Sequence, residues 1–413
     1  MRIPTLLAVV SLVLPVTAQS TWYVDTNGTP PGTGTVVDPY ASIQYAFDQA
    51  ATLAGDTLVV SPGLYTENVL DTKGVKIQGA GPDLCTIIAP NDYSAVRFQQ
   101  PGAEFSGFTV TPGLRDGVHV EIGATLGMYD CIISHNASHG VNHKGTLWAN
   151  LHWFNGCTIA DNGGQGLRMI APAAISDTIV WGNELDNTLI NEGGHHNCCQ
   201  SYFSDCDIEG FLLNDPYGAP YPNVLDTEPF FRDPANGDYR LLPGSPCIGT
   251  SVGGTDMGAV AFDPSELGGV SYCTAGTSAS GCQAQMGALG TASATADSGF
   301  LLTVVNVESQ KDGLFFYGTN GRQANAWGNG TSFVCVVPPR VRGPLSSGFC
   351  LLGTCGGSFT LDLNARWCAT CPKPAHNPGA GAVGQAQLWY RDPTNTSNQT
   401  SSMSDAVEFV VEP

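Results

Sequence analysis

The hydrophobic positions of this chain fall into two interleaved series of short strands that recur at a nearly constant interval. The first series has starts that are 23, 26 and 21 residues apart: GFTVTP from Gly107, DCIISHN from Asp130, GCTIADN from Gly156 and DTIVWGN from Asp177. The second series has starts that are 22, 23 and 26 residues apart: AVRFQQ from Ala95, GVHVEIG from Gly117, GVNHKG from Gly140 and GLRMIA from Gly166. Two strand series with one period predict a solenoid with one coil per about 22–26 residues.

Segments on either side of these repeats extend the pattern. VKIQGAG from Val75 fits an earlier coil, and SYFSDCDIEG from Ser201 fits a later, less regular one. Three asparagines, Asn136, Asn162 and Asn183, each fall six positions after the start of a repeat. On stacked coils these amides would lie above one another, so we expect them to form a hydrogen-bonded ladder.

The repeat resembles the right-handed parallel β-helix of the pectin-lyase-like superfamily. Proteins of that superfamily often open with segments similar to WYVDTNG, ASIQYAFDQA, GDTLVVSPGLYTENV and VKIQGAG, and residues 231–259 resemble the closing segment of many secreted bacterial β-helix proteins. The resemblance covers roughly residues 20–263. It implies that an amphipathic helix with Ile43, Ala46, Phe47 and Ala50 on one face caps the first coil. It implies a fold rather than a reaction, because lyases, hydrolases, epimerases and adhesins share this scaffold.

The repeat stops at about Leu267. YCTAGTSASGC at 272–282 opens a Ser/Thr/Gly-rich region with alternating strands such as GFLLTVVNV, GLFFYG, SFVCVV and AVEFVV. This alternation predicts an antiparallel β-sandwich over residues 268–413. With QLWYRDP near its end, the region also resembles a C-terminal module of large exported bacterial proteins, which implies glycan binding, surface retention or sorting. We therefore predict an all-β protein with a β-helix at 19–263 and a β-sandwich at 268–413.

The first residues and the overall charge indicate where such a protein works. Arg2, an apolar run from about Leu6 to Val16 and the small residues that end at Ala18 predict a signal peptide at 1–18. No later apolar run is long enough to span a bilayer, so we expect a secreted or cell-surface protein without membrane insertion. The formal net charge of −20 excludes nucleic acid and anionic membranes as partners. We expect a monomer.

The 14 cysteines fit an oxidising compartment, where disulfides form. Seven precede residue 265 and seven follow it, so each half leaves a free thiol or the two halves share a bridge. The motif GGHHNCC at 193–199 could bind a metal, but its ligands are too close in sequence to surround one ion easily. Disulfides and an irregular loop are the favoured interpretation of that motif.

Three histidines at steps of four, His135, His139 and His143, would line one face of an α-helix, as in many zinc sites. On a β-helix the spacing loses that meaning. We expect His135 and His139 to be exposed at a corner, on either side of Asn136. His143 aligns with inward positions of neighbouring coils, so we expect it in the interior, and the three do not converge on a metal.

The second strand series places polar and charged residues, which could bind a ligand or take part in catalysis, on its outer face. If Val96, Val118, Val141 and Leu167 point inward, then Arg97, His119, Asn142 and Arg168 point outward. Two positions further along lies a second outward column: Gln99, Glu121, Lys144 and Ile170. Coils stack about 4.8 Å apart, so these side chains should form two parallel columns.

The resemblance implies that this outer face is the floor of a groove for an extracellular, acidic polysaccharide, and it suggests a polysaccharide lyase. β-Elimination needs a base that removes the proton α to a uronate carboxyl group. By resemblance we assign Lys144 as the base, Arg168 as the acid or carboxylate clamp, and Glu121 with Asn142 as Ca²⁺ ligands. Arg97, His119, Trp148 and Trp153 are the predicted substrate-binding residues.

Simpler interpretations of the same residues stay open. Outward strand positions are often merely polar and solvated, and Trp148 and Trp153 could plug a widened coil instead of stacking on sugars. A hydrolase is less favoured, since turn roles explain Asp130, Asp177 and Asp205. The alternative function is a non-catalytic surface or adhesive protein with the β-helix as a rigid spacer.

Overall fold

The computed structural model describes residues 19–143, 151–169, 171–185, 188–190, 201–211, 221–327, 331–348, 355–368, 376–392 and 400–413. The predicted signal peptide at 1–18 and the GGHHNCC motif at 193–199 lie outside these residues. So do two predicted site residues, Lys144 and Trp148.

The first part of the chain winds through three parallel sheets, and each coil visits them in the same order. Sheet I contains β1 (Thr21–Val24), β2 (Thr57–Val60), β5 (Lys76–Gly79), β8 (Ala103–Ser106), β11 (Leu126–Tyr129), β14 (His152–Asn155), β17 (Ala173–Ser176) and β20 (Tyr202–Ser204). Sheet II contains β3 (Gly63–Thr66), β6 (Cys85–Ile88), β9 (Thr109–Val110), β12 (Ile132–Ser134), β15 (Thr158–Ala160), β18 (Ile179–Trp181), β21 (Cys206–Ile208) and β22 (Val224–Leu225). Sheet III contains β4 (Val69–Asp71), β7 (Val96–Phe98), β10 (Val118–Val120), β13 (Val141–His143), β16 (Leu167–Met169) and β19 (Thr188–Ile190). The predicted right-handed parallel β-helix is confirmed.

Alternate strand residues fill the interior of the β-helix. Val96, Val118, Val141 and Leu167 are fully buried, as the alternation predicts. Each sits directly over its counterpart in the neighbouring coil, because the strands pair in register. The outward residues between them are therefore held in a column with the same spacing.

A short helix covers the first coil. Helix α1 (Ile43–Asp48) begins at Ser42, whose side chain accepts a hydrogen bond from the Tyr45 amide. It buries Ile43, Ala46 and Phe47 and packs against β1, β2 and β4, so the predicted cap is present. The helix ends before Ala50, which is exposed, and the prediction that Ala50 belongs to its apolar face is wrong.

One left-handed residue joins each sheet I strand to its sheet II strand in the regular coils. The backbone φ is 73° at Gly107, 50° at Asp130, 61° at Gly156 and 51° at Asp177. Glycine and aspartate tolerate this conformation better than most residues, which explains why these types recur there. The turn role expected for the aspartates is confirmed.

A ladder of small polar side chains lies just behind these turns. Cys131, Cys157, Thr178 and Cys206 are buried in successive coils and donate hydrogen bonds to backbone carbonyl groups. The five described cysteines of the β-helix and its closing segment are free thiols. Those thiols do not bridge to the C-terminal half.

The closing segment covers the outer face of sheet II. It comprises β23 (Phe231–Asp233), the 3₁₀ helix Pro234–Asn236, β24 (Asp238–Leu241) and a loop that reaches Met257. Phe231, Tyr239 and Leu241 pack there against Ile179 and Trp181. The Tyr239 hydroxyl donates a 2.8 Å hydrogen bond to Asp161, which anchors the segment to a turn of the β-helix. The closing segment does not cover sheet III, where Arg97 and Arg168 of the outward column are half-buried and His119 and Asn142 are buried.

The C-terminal part is an antiparallel β-sandwich, as predicted. After the 3₁₀ helix Pro264–Glu266, one sheet contains β25 (Val270–Tyr272), β35 (Ser401–Val410), β34 (Val383–Arg391), β28 (Asp312–Gly318) and β31 (Val341–Arg342), with β32 (Ser346–Ser347) also on β28. The other contains β26 (Gln285–Gly290), β27 (Phe300–Val307) and β33 (Gly357–Asp362), followed by helix α2 (Leu363–Trp367). A hairpin of β29 (Arg322–Trp327) and β30 (Ser332–Val336) completes it. Disulfides join Cys273 to Cys335 and Cys282 to Cys355.

The β-helix and the sandwich meet through a small apolar contact. Phe230 and Leu242 of the closing segment pack with Leu289 and Val305 of the sandwich. Within the described residues, no helix has both the length and the apolar character needed to cross a membrane.

Candidate functional site

Strand register places the predicted outward column of sheet III in one row. Arg97 pairs with His119, His119 with Asn142, and Asn142 with Arg168 on successive coils. The alignment expected from the sequence is confirmed. Because the strands are parallel and in register, each side chain leaves the sheet about 4.8 Å from the next.

The first coils of this face form an open groove with a volume of 550 Å³. Its floor is the outward side of β4, β7 and β10, including Leu70, Arg97 and His119. Its walls come from the turns that lead into the strands, where Asp92 and Tyr93 precede β7 and Arg115 precedes β10. The turns that enter sheet III therefore give the flat strand surface a concave shape.

Ionic groups in the groove form a connected series of four residues and a separate ion pair at the rim. The Arg97 guanidinium binds the Glu121 carboxylate of the next coil through Nε, at 2.7 Å, and through a second nitrogen. Glu121 also lies 3.8 Å from Nε2 of His119, and Nδ1 of His119 lies 3.0 Å from an oxygen of Asp116. At the rim, Arg115 forms a 2.8 Å ion pair with Asp92. Each of these cations therefore has a carboxylate partner.

Asp116 is the site residue that sequence reasoning missed. It is only 7% exposed and accepts hydrogen bonds from His119, from the Asn142 amide at 2.9 Å and from the His139 backbone. Burial raises the pKa of Asp116, but the hydrogen bonds from His119, Asn142 and Ser138 lower it by a larger amount. The net pKa of Asp116 is about 2. The only sequence signal was its place two residues before the strand that carries His119.

An ionised Asp116 determines the state of the His119 ring. A carboxylate only accepts hydrogen bonds, so Nδ1 of His119 must carry a proton. In the neutral ring the lone pair is then on Nε2, which faces Glu121 and the groove. A histidine that is oriented in this way through its other nitrogen can accept a proton from a ligand.

The other predicted site residues divide into two groups. Arg168 is half-buried and continues the row beyond Asn142. Trp153 is 46% exposed, but it lies on the outer face of sheet I, in register with Gly127 and Ala174. The structure therefore brings Arg97, His119 and Glu121 together and places Trp153 on a different face.

The predicted calcium ligands do not fit a cation in this arrangement. The Glu121 carboxylate already forms an ion pair with the Arg97 guanidinium, whose positive charge would repel Ca²⁺. The carbonyl oxygen of Asn142 is buried and has no partner in the described part of the chain, so it is not presented to the groove. Among the described residues, no three His, Cys, Asp or Glu side chains cluster as metal ligands. We assign no step to calcium.

The three regularly spaced histidines diverge, as expected on a β-helix. His135 is half-buried at a corner, and its Nδ1 lies 3.3 Å from the Tyr239 hydroxyl. Nδ1 of His139 accepts a hydrogen bond from the backbone N–H of Gln165. His143 points inward and is 2% exposed. His135 and His139 are half-buried, so their predicted exposure is wrong, whereas the corner and interior positions are as predicted.

Comparisons with known proteins give weak structural similarities. No protein-family model matches this sequence, and no curated protein matches it. Pectate lyase Pel9A is similar with 12% identity and a TM-score of 0.34, over 60% of this chain and 98% of that one. A pectin methylesterase in complex with hexasaccharide VII has 11% identity and a TM-score of 0.30, over 50% and 82%. Pectin methylesterase PemA from Erwinia chrysanthemi has 11% identity and a TM-score of 0.29, over 50% and 81%. The strand register of this chain, rather than these similarities, shows its parallel β-helix fold.

Proposed function

We propose that this protein is exported and binds an extracellular, carboxylate-bearing polysaccharide in the groove of sheet III. The observation that carries the proposal is the chain of paired ionic groups along an open groove, from Arg97 through Glu121 and His119 to Asp116. Sugar hydroxyl groups need alternating donors and acceptors, and this network supplies both. The carboxylate of a uronate can replace Glu121 as the partner of Arg97 and accept two parallel hydrogen bonds from its guanidinium group.

The Asp116–His119 pair supports a second candidate function, a lyase that acts by β-elimination. His119 Nε2 would accept the proton α to the uronate carboxyl group while Arg97 holds that carboxyl group. The electron pair of the broken C–H bond forms the new double bond as the glycosidic C–O bond breaks, and the leaving oxygen takes a proton. Arg168 stays our proposed donor of that proton, and Lys144 stays the alternative to His119 as the base.

Replacing Arg97 tests binding. For Arg97→Gln we expect the Kd for a uronate oligosaccharide to rise about tenfold or more, because a charge-assisted hydrogen-bond pair is lost. Isothermal titration calorimetry measures the effect. Lys76→Gln is the matched control, since Lys76 forms a comparable 2.9 Å ion pair with Glu104 on sheet I. Equal affinities for Arg97→Gln and the unaltered protein would show that the groove is not the binding site.

Replacing Asp116 tests catalysis. For Asp116→Asn we expect kcat to fall by about 100-fold, with little change in KM, because the ring of His119 is no longer held in the required tautomer. The ultraviolet absorbance of unsaturated products, followed over a panel of uronate polysaccharides, measures the rate. Asp233→Asn, an exposed change in the closing segment, is the control. If no polymer yields product, the lyase is wrong, and binding without turnover favours the adhesive function.

A further inference from the structure

We infer a second binding site, on the outer face of the C-terminal sandwich, for a saccharide ring that carries a carboxylate. The site is a cleft of 530 Å³ beside β28 and β34. Its ligand class is shared with the groove ligand proposed above, but the cleft has its own residues. Each site can therefore be tested without the other.

Strand alternation creates the floor of this cleft. In β28, Phe315 and Tyr317 point into the sandwich core. Leu314 and Phe316 point the opposite way and pack with Met403 in a separate apolar cluster under the hairpin. The outer face of the sheet is thus apolar where a typical exposed face would be polar.

Two tryptophans border the cleft. Trp327 of β29 and Trp389 of β34 are both half-buried, so each keeps ring surface available. The Trp327 indole nitrogen donates a 3.1 Å hydrogen bond to the Ser401 hydroxyl, which fixes the orientation of its ring. Rigid, partly exposed indoles present large flat surfaces at a low entropic cost, and the C–H face of a pyranose ring can pack on them.

Two arginines at the same cleft point to an anionic ligand. Arg340 lies 5.8 Å from the centre of the Phe316 ring and donates a 2.7 Å hydrogen bond to the Val336 carbonyl group. Arg342 pairs with Phe316 across β31 and β28. Within the described residues neither arginine forms an ion pair, whereas Arg322 of the same sandwich pairs with Glu408.

Two neighbouring arginines without an acidic partner in the described residues are unusual in a chain that has only 16 basic residues against 36 acidic ones. Partial desolvation of the otherwise exposed side chain, together with the charge of Arg342, lowers the pKa of Arg340, so an anion between the two guanidinium groups would relieve a repulsion. Guanidinium groups bind carboxylates through two parallel hydrogen bonds. A uronate has this carboxylate next to a stackable ring, so one sugar residue satisfies both features of the cleft.

The experiment titrates the full chain with a uronate trisaccharide, the carboxyl-reduced neutral trisaccharide, and an apolar tripeptide with a free C-terminal carboxylate. We expect the uronate probe to occupy two sites per chain by calorimetry and to change tryptophan fluorescence. In the double variant Arg340→Gln/Arg342→Gln, one site should weaken about tenfold or more, and the part of the fluorescence change that persists in Arg97→Gln should disappear. Arg340 and Arg342 are exposed, so the variant should fold normally.

Arg366→Gln is the matched control, because Arg366 belongs to α2, which packs against β27 on the other side of the sandwich. Arg97→Gln should weaken the groove site about tenfold or more and leave the fluorescence change of the cleft tryptophans intact, which separates a failure of this proposal from a failure of the groove. Uronate binding that is unchanged in the double variant would overturn the proposal. So would equal affinity for the neutral probe, or tighter binding of the tripeptide.

Discussion

Asn162→Ala is expected to lower the free energy of unfolding of the β-helix by about 4 kcal/mol. Asn162 is completely buried, and its side-chain oxygen accepts hydrogen bonds from the backbone and the side-chain amide of Asn136. Its own amide donates to Asn183 at 2.9 Å and to two backbone carbonyl groups. Alanine would leave the Asn136 backbone N–H without its partner in a closed interior, at about 1–3 kcal/mol, and would remove the other side-chain hydrogen bonds of Asn162, at about 1 kcal/mol each.

Urea unfolding followed by circular dichroism measures this effect. Asn27→Ala is the control, because Asn27 is exposed and its side chain bonds, among the described residues, to nearby Asp25 alone, so its loss should change stability by less than about 0.5 kcal/mol. A cost for Asn162→Ala of less than about 1 kcal/mol would show that the ladder does not stabilise the stack.

This ladder is also the part of the fold that the sequence predicted most directly. An asparagine at a fixed place in each repeat must meet its counterpart once the coils stack, so spacing alone was sufficient. The same reasoning predicted the burial of Val118 and the row from Arg97 to Arg168. In a solenoid, positions that are one period apart become neighbours, and non-local contacts can be read from the sequence.

The ionic partners in the groove were not predictable in this way. Arg97 and Glu121 belong to different outward columns, and their contact depends on side-chain conformations that periodicity does not determine. Asp116 lies in a turn outside both columns, so no alternation pointed to it. It reaches His119 because the chain bends just before β10.

Trp153 shows how a correct periodicity can still lead to a wrong placement. We predicted that it binds substrate because its ring could stack on a sugar. Its segment HWFN stands directly before the left-handed turn at Gly156, which is the place of a sheet I strand in each regular coil.

The cleft of the sandwich could not be predicted from the sequence for another reason. Its arginines reach Phe316 through the long-range pairing of β28 and β31.

Acid is expected to destabilise the β-helix through two histidines in its interior. His143 and His152 are 2% and 0% exposed, and their ring centres are 4.6 Å apart. Burial, and next the charge of His119, lowers the pKa of His143 to about 4. Burial, and next the charge of His143, lowers the pKa of His152 to about 3. Both pKa values are below those of the same histidines in the unfolded chain. At acid pH the folded state therefore binds fewer protons than the unfolded state does.

The sign of the effect follows from that difference. The stability that these neutral rings contribute is complete above pH 6.5, the ordinary histidine value, and is lost as the pH falls towards the folded-state values. At about 1.4 kcal/mol per pKa unit, the two rings together should cost roughly 6 kcal/mol between pH 7 and pH 4. The variant His143→Met/His152→Leu should lack most of this loss. The next coil carries methionine at the position of His143, so the interior accommodates that shape.

Measurement of urea midpoints at pH 7 and pH 4 for both proteins isolates the histidines. Buried carboxyl groups such as Asp207, whose pKa burial raises to about 7, have the opposite effect and stabilise the fold in acid. They are present in both proteins, so they cancel in the difference. His376→Gln, a change at an exposed histidine, should leave the acid sensitivity unaltered. If the double variant loses as much stability as the unaltered protein, then other groups control acid unfolding and the interior rings do not.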